Sequence, residues 1–299
     1  MNYLPRPEGP TADDLKLSRR AAVGSMFFTG YAAYALGANA EPIITPDTGL
    51  KIEEVMIPNG ASAPMPAYMA RPDKPGRYPT IIVCNEIFGI HAWIKDMCRR
   101  WAQEGYVAIA PAFFYRAGDP SQLTDYAQIR PIVATAKAAQ VHGDIGATLA
   151  WLGKQRFASK GKSGITGWCW GGTPVWMSAA EQPRIGAGVA FYGRMVPPAP
   201  PKPTDPPPSD PTRKYPIDIA GKLKAPVLGL YGGKDQGIPV ATVDQMRAAL
   251  AAAGNTSSQI IVYPDADHGF LADYRPTYNE AAAKDAWARS KAWFKRYLN

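Results

Sequence analysis

Short apolar runs rich in β-branched residues recur along the chain after residue 40 and alternate with segments of helical periodicity. Such uninterrupted apolar runs are typical of strands buried on both faces of a sheet. The predicted strands cover residues 50–57, 67–71, 80–84, 106–110, 162–166, 185–192, 226–231 and 259–263, and the predicted helices cover 91–104, 121–157, 173–180, 240–253 and 280–298. This alternation predicts one α/β domain over residues 41–299, with a mostly parallel central sheet covered by helices on both faces. Turn residues 58–60 predict that the first two strands form an antiparallel hairpin.

The first 40 residues have the pattern of an export signal. A polar stretch ends in Arg19 and Arg20, and residues 21–38 carry no charge. Residues 38–40 (ANA) have the small-x-small pattern that precedes the cleavage point of a signal peptide. The paired arginines indicate the twin-arginine route, although Ala22 stands where a bulky apolar residue is usual. We therefore predict export, to the periplasm, with an uncleaved membrane anchor or a buried helix as the alternatives.

Residues 196–216 interrupt the alternation because proline dominates them. Proline fixes φ and lacks a backbone donor, so the segment is predicted to be an extended surface loop within the domain. A stiff excursion without a partner is the favoured interpretation; a partner-docking role or a position at the mouth of the active site is the alternative.

The composition narrows the classes of function. The net charge is +8, but the chain has no dense run of lysine and arginine of the kind that predicts a nucleic-acid partner. Scattered positive charge is more typical of a protein that tolerates anionic small molecules. No His, Cys and Asp cluster has metal-ligand spacing, and no phosphate-binding glycine loop is present. A membrane is expected as a partner only through an uncleaved export signal.

The sharpest chemical signal is residues 167–172 (GWCWGG), which follow a predicted strand and open a predicted helix. Glycines on both sides of a nucleophile permit the strained strand-to-helix turn called a nucleophile elbow. The helix would direct its first N–H groups toward the Cys169 thiol and favour its thiolate. The alternative for Cys169 is a buried structural cysteine in a tight turn.

A cysteine nucleophile needs a base and a group that orients the base. His268 follows the last strand, and Asp235 follows the strand at 226–231, which gives the chain order nucleophile, acid, base. Asp265 and Asp267 are rivals of Asp235 because they share the loop of His268. The loop after the strand at 80–84 and the residue after the nucleophile would supply the oxyanion hole, which predicts the N–H groups of Ile87 and Trp170.

Six motifs together resemble the dienelactone hydrolase (carboxymethylenebutenolidase) family of the α/β-hydrolase superfamily, over roughly residues 50–298. They are residues 86–89 (EIFG), 110–116 (AP to YR), 167–172 (GWCWGG), 191–193 (FYG), 233–235 (GKD) and 268–270 (HGF), in family order.

The resemblance implies an α/β-hydrolase fold and cofactor-free hydrolysis of a small ester or lactone through an acyl-enzyme. It implies a triad of Cys169, Asp235 and His268, and a role for Glu86, which contacts the thiol at rest and helps to ionise it when substrate binds.

The resemblance also bears on the substrate. Family members that cleave dienelactone hold its carboxylate with two arginines; Arg116 matches the first, but Ala272 stands at the second, where Arg275 is the candidate replacement. We add Tyr192 to the predicted substrate-binding residues. An anionic substrate is therefore expected, bound less tightly than in those relatives.

Two other classes of function compete with the hydrolase. A binding protein on this fold would have no need of a complete triad. A thiol redox protein using Cys169 would leave Asp235 and His268 superfluous, and no second cysteine lies close in sequence to resolve a sulfenic acid.

Overall fold

The computed structural model describes residues 43–198 and 213–298. The predicted export signal therefore lies outside the described residues, as does most of the proline-rich loop. The strands are β1 (Leu50–Asn59), β2 (Ser62–Pro72), β3 (Thr80–Cys84), β4 (Val107–Pro111), β5 (Ser163–Trp168), β6 (Ile185–Phe191), β7 (Val227–Gly232) and β8 (Gln259–Tyr263). The helices are α1 (Ala92–Gln103), α2 (Tyr126–Thr135), α3 (Ala138–Leu152), α4 (Gly172–Glu181), α5 (Val240–Ala252) and α6 (Glu280–Leu298).

One eight-stranded sheet has the order β1-β2-β4-β3-β5-β6-β7-β8. The strands from β4 to β8 pair in parallel, whereas β1 with β2 and β2 with β4 are antiparallel. Both the mostly parallel sheet and the N-terminal hairpin are thus as predicted. The carboxyl ends of the parallel strands share one edge, where polar loop residues can meet.

Each face of the sheet has its own apolar core. Helices α3, α4 and α5 pack on one face, and α1 and α6 pack on the other, where the rings of Trp101 and Phe294 lie 5.1 Å apart. Strands buried between two such layers explain why their sequences lack polar alternation. Among the described residues, no helix has the length and apolar character that crossing a membrane requires.

The single helix predicted over residues 121–157 is wrong. A short 3₁₀ turn at Pro120–Gln122 precedes α2, and the chain breaks again at Ala136 before α3. Asp125 starts α2 by accepting a hydrogen bond from the Ala127 N–H at 2.8 Å. The break lets α3 bury its apolar face on the sheet, while α2 buries only Ile129.

Candidate active site

Cys169 lies directly after β5, at the carboxyl edge of the sheet, and begins a short 3₁₀ turn that leads into α4. Its φ of 54° places it in the left-handed region, which costs a non-glycine residue on the order of 1–3 kcal/mol. Gly167 and Gly171 make this turn sterically possible, because a Cβ on Gly167 would lie 2.7 Å from the Cβ of Cys84 and one on Gly171 would lie 2.6 Å from the carbonyl oxygen of Asn85. The sequence 167–172 therefore has the close packing predicted for a nucleophile elbow.

Asp235 and His268 meet beside Cys169, although 33 residues separate them in the chain. His268 Nδ1 lies 2.7 Å from Asp235 Oδ2, and the other oxygen of Asp235 accepts the N–H groups of Gly237 and Ile238 at 2.8 and 2.9 Å. These two backbone hydrogen bonds fix the carboxylate, which in turn orients the imidazole. Asp265, a predicted rival of Asp235, is exposed and pairs with Lys234 instead.

The environment of His268 favours its charged form. Burial alone would lower the pKa of its imidazole, but hydrogen bonding to Asp235 and to the Cys169 thiol, and the charges of both groups, raise the pKa to about 10. A protonated imidazole beside the sulfur stabilises a thiolate.

A second buried cluster surrounds Glu86 in the loop after β3; we call Glu86, His91, Tyr274 and Arg275 the Glu86 cluster. The Tyr274 hydroxyl donates to Oε2 at 2.6 Å, Arg275 Nη2 donates to Oε1 at 2.7 Å, and His91 Nε2 lies 3.3 Å from Oε2. Burial alone would raise the pKa of Glu86, but Arg275, followed by His91 and Tyr274, lowers it to about 2. Glu86 is therefore ionised at neutral pH.

Comparison with known proteins fits this geometry. A model of the dienelactone hydrolase family matches residues 65–298. The chain belongs to the dienelactone hydrolase family. It is thus a hydrolase of the α/β-hydrolase fold, as the sequence predicts.

Individual relatives agree with the family model. The chain is 46% identical over 283 residues, 94% of each chain, to a Methylorubrum extorquens protein named "Putative carboxymethylenebutenolidase", and 44% identical to a Salmonella typhimurium protein of the same name, over 90% of this chain and 96% of the other. The crystal structure titled "Putative Dienelactone Hydrolase" from Klebsiella pneumoniae matches with a TM-score of 0.75 and 45% identity, over 83% of this chain and 99% of that one.

The loop after β3 lies beside the elbow because Cys84 pairs with Gly167 in the sheet. Ile87 therefore follows the strand next to the nucleophile, and its N–H donates no hydrogen bond to any described residue. Trp170 stands second in the 3₁₀ turn, where N–H groups lack partners within the turn. Its ring packs 4.8 Å from that of Phe114. Both placements suit the predicted oxyanion hole.

Arg116, predicted to bind a substrate carboxylate, already holds a carboxylate of the protein. Its Nη1 and Nη2 donate to the two oxygens of the buried Asp144 at 2.9 and 2.7 Å. Asp144 lies on α3, so the pair ties the loop after β4 to that helix. A substrate would have to compete with Asp144, and binding by Arg116 stays a prediction.

Arg275 and Tyr192 lie closer to the chemistry. The negative charge of an ionised Cys169 is among those that raise the pKa of Arg275, whose guanidinium is bonded to Glu86. The ring of Tyr192, directly after β6, packs 4.9 Å from the His268 imidazole, and its buried hydroxyl has no hydrogen-bond partner among the described residues. Substrate binding by either residue stays a prediction.

The contact expected between Glu86 and the thiol is not among the hydrogen bonds of the described residues. Both carboxylate oxygens face Arg275 and Tyr274 instead. Sequence analysis missed Tyr274 and His91 as partners of Glu86; the only available signal was their position within motif-bearing loops. A catalytic role for Glu86 stays a prediction.

Proposed function

We propose that this protein hydrolyses a small carboxylic ester or lactone with Cys169 as the nucleophile. The observation that carries the proposal is the strained placement of Cys169 at the end of β5, beside an imidazole that Asp235 orients. A relative named "Putative carboxymethylenebutenolidase", which matches 94% of the chain, supports the substrate class.

In the first half-reaction, His268 already holds the proton as an imidazolium, and the Cys169 thiolate beside it attacks the substrate carbonyl carbon. The resulting oxyanion accepts hydrogen bonds from the N–H groups of Ile87 and Trp170. These hydrogen bonds stabilise the negative charge that develops on the substrate oxygen in the transition state. Collapse breaks the carbon–oxygen bond, and His268 returns its proton to the leaving alkoxide. For a lactone, this opens the ring and leaves the alcohol attached to the acyl group.

In the second half-reaction, His268 removes a proton from a water molecule that attacks the thioester carbon. The second tetrahedral intermediate uses the same two N–H groups and collapses with loss of the Cys169 thiolate. The imidazolium then reprotonates the sulfur or remains beside it as an ion pair. Because Asp235 holds Nδ1, Nε2 of the same ring serves both half-reactions.

The proposal includes a preference for anionic substrates, and Arg275 is better placed than Arg116 to bind them. The charge of an ionised Cys169 contributes to the raised pKa of Arg275, whereas Arg116 is paired with Asp144. Because Glu86 neutralises Arg275 in the unliganded site, the preference would be modest. A substrate carboxylate that drew Arg275 away would also free Glu86.

The test compares Cys169→Ala and Cys169→Ser with a matched Cys98→Ala variant on aryl esters and lactones. Cys98 is a fully buried cysteine whose thiol pKa is raised by burial, so it is a control for cysteine loss away from the site. Cys169→Ala should abolish hydrolysis, and Cys169→Ser should retain at most weak activity because a hydroxyl ionises far less readily.

Activity of Cys169→Ala equal to that of the wild type would overturn the assignment of the nucleophile. Iodoacetamide should inactivate the wild type by labelling Cys169 and should spare Cys84 and Cys98, which are fully buried. Peroxide consumption without ester cleavage would instead favour the thiol redox function, and binding without turnover would favour the binding protein.

We propose further that residues 1–40 direct export by the twin-arginine route. The supporting pattern is Arg19 and Arg20 before an uncharged stretch and a small-residue site at 38–40. Changing both arginines to lysine should leave full-length precursor in the cytoplasm, and the exported form should begin at Glu41. A mature protein that starts near Met1 in the membrane fraction would favour the anchor.

A further inference from the structure

Asn85 lies between the last residue of β3 and Glu86, and its side chain is fully buried. Its Nδ2 donates a hydrogen bond to the carbonyl oxygen of Glu86 at 2.6 Å. The same oxygen accepts the Gly89 N–H at 3.2 Å. Two donors therefore hold this one carbonyl in a fixed direction.

The direction of that carbonyl sets the direction of the next N–H. The described residues contain no cis peptide bond, and in a trans peptide the C=O and N–H bonds point in opposite directions. With the Glu86 carbonyl turned toward Asn85, the Ile87 N–H of the same peptide points away from Asn85. That N–H makes no hydrogen bond to any described residue.

The preceding peptide, between Asn85 and Glu86, cannot turn to compensate. A Cβ on Gly171 would lie 2.6 Å from the Asn85 carbonyl oxygen, so this stretch packs directly against the elbow that carries Cys169. The Glu86 side chain is anchored by Tyr274 and Arg275. The orientation of the peptide between Glu86 and Ile87 is thus held by the hydrogen bonds to its carbonyl, of which the one from Asn85 is the shorter.

We propose that Asn85 is a positioning residue, whose side-chain amide aims the Ile87 N–H at the oxyanion formed on the carbonyl that Cys169 attacks. The proposal rests on the proposed function, because it requires an attack by Cys169.

The unsatisfied end of the same amide supports this role. Asn85 Oδ1 is buried and has no hydrogen-bond partner among the described residues. Leaving a buried acceptor unpaired costs stability. Reversing the amide would bring Oδ1 against the Glu86 carbonyl oxygen, so the chemistry requires Nδ2 at that position. The donor is retained at a cost that packing alone does not explain.

The experiment uses the full-length protein and two probes. An aryl trifluoromethyl ketone forms a thiohemiketal with a cysteine thiolate and so generates the oxyanion. The analogue with CH₂ in place of the ketone carbonyl reports ground-state binding only. Asn85→Leu removes the donor at similar volume, Asn85→Ser is the smaller second variant, and Asn255→Ala removes an asparagine that accepts the Ser258 N–H in the loop before β8.

Asn85→Leu should weaken ketone binding about ten- to hundredfold, somewhat less than the loss of an entire oxyanion donor. It should lower kcat in parallel, leave KM and binding of the CH₂ analogue within twofold, and leave the rate of Cys169 alkylation by iodoacetamide unchanged. Asn255→Ala should change none of these quantities.

Unchanged ketone affinity in both Asn85 variants, or equal weakening of both probes, would overturn the proposal, because a merely structural role affects the two probes alike. The proposed function fails in a different way. If Cys169→Ala bound the ketone as tightly as the wild type, Cys169 would not be the nucleophile, and both proposals would fall.

Discussion

Two imidazole–carboxylate pairs lie at this site, and their histidines differ in charge. His268 faces Asp235 at 2.7 Å, and His91 faces Glu86 at 3.3 Å. Burial opposes the charged form of both. Asp235 and Cys169 more than offset it at His268, where the pKa rises to about 10, whereas burial prevails over Glu86 at His91 and lowers its pKa.

The difference comes from what else contacts the carboxylate. Glu86 is already neutralised by Arg275 and bonded by Tyr274, and Arg275 also disfavours a charge on His91. Asp235 accepts only backbone N–H groups besides His268 among its hydrogen bonds to described residues. A carboxylate without a cation partner favours an imidazolium beside it, whereas a carboxylate neutralised by an arginine leaves its histidine uncharged.

Breaking the first pair should produce the largest effect. Asp235→Asn removes the carboxylate that orients His268 and should lower kcat/KM for p-nitrophenyl acetate about 10³- to 10⁴-fold. Asp235→Asn should remain folded, with a cooperative unfolding transition in urea. Asp265→Asn, on the exposed rival in the His268 loop, is the matched control and should change kcat/KM less than twofold; equal losses would refute the assignment of Asp235.

Removing the arginine that neutralises the carboxylate of the second pair should affect stability first. Arg275→Met leaves the buried Glu86 charge unpaired and should lower the free energy of unfolding by about 3–5 kcal/mol. Adding Glu86→Gln should restore part of that loss. Arg289→Met, in an ion pair whose side chains are 49% and 45% exposed, should cost less than about 1 kcal/mol. No recovery in the double variant would mean that the unpaired charge is not the cause.

The two pairs should also be separable by pH. The folded pKa of His268 is about 10 against 6.5 unfolded, so its stabilisation is complete below pH 6.5 and is lost as pH rises toward 10. The folded pKa of Glu86 is about 2 against 4.5, so its stabilisation is complete above pH 4.5 and is lost as pH falls toward 2.

Urea unfolding across pH measures both limbs. His268→Gln should remove the alkaline slope, at most about 1.4 kcal/mol per pH unit for one proton, and leave the acid limb in place. His142→Gln, which loses a partly exposed pair with Glu181, is the control. An alkaline slope that persists in His268→Gln would contradict the charged state assigned to this histidine.

The smallest effect is expected at Arg116. If Arg116 held a substrate carboxylate, as the sequence predicts, its loss would cost about one to two orders of magnitude on an anionic lactone. Because Asp144 takes both ends of its guanidinium, we expect Arg116→Ala to change the preference for a carboxylate-bearing lactone over a neutral aryl ester less than tenfold. A larger change in the ratio of the two kcat/KM values would restore Arg116 as the substrate's anchor.

The fold and the positions of Cys169, Asp235 and His268 at strand ends could be predicted because they depend on local pattern and chain order. The partners of Glu86 could not: Tyr274 lies 188 residues away, in a loop without periodicity. The pairing of Asp144 with Arg116 could not be predicted either, because in the sequence Asp144 is only one polar position on a mostly apolar helix. Pairings between distant loops follow from three-dimensional packing, which a single sequence does not reveal.

The central claim is that the carboxylate-oriented imidazole serves a covalent step at Cys169. Rapid quench of the enzyme with p-nitrophenyl acetate, followed by intact mass and peptide mapping, tests it most directly. We expect one added acetyl group on the peptide containing Cys169, formed and lost at rates consistent with kcat. In His268→Gln, an acetyl group that forms should persist for longer, because the base that activates water is missing. Turnover without an acetyl adduct on Cys169 under any quench condition, or an adduct on another residue that forms and decays at the turnover rate, would contradict the account.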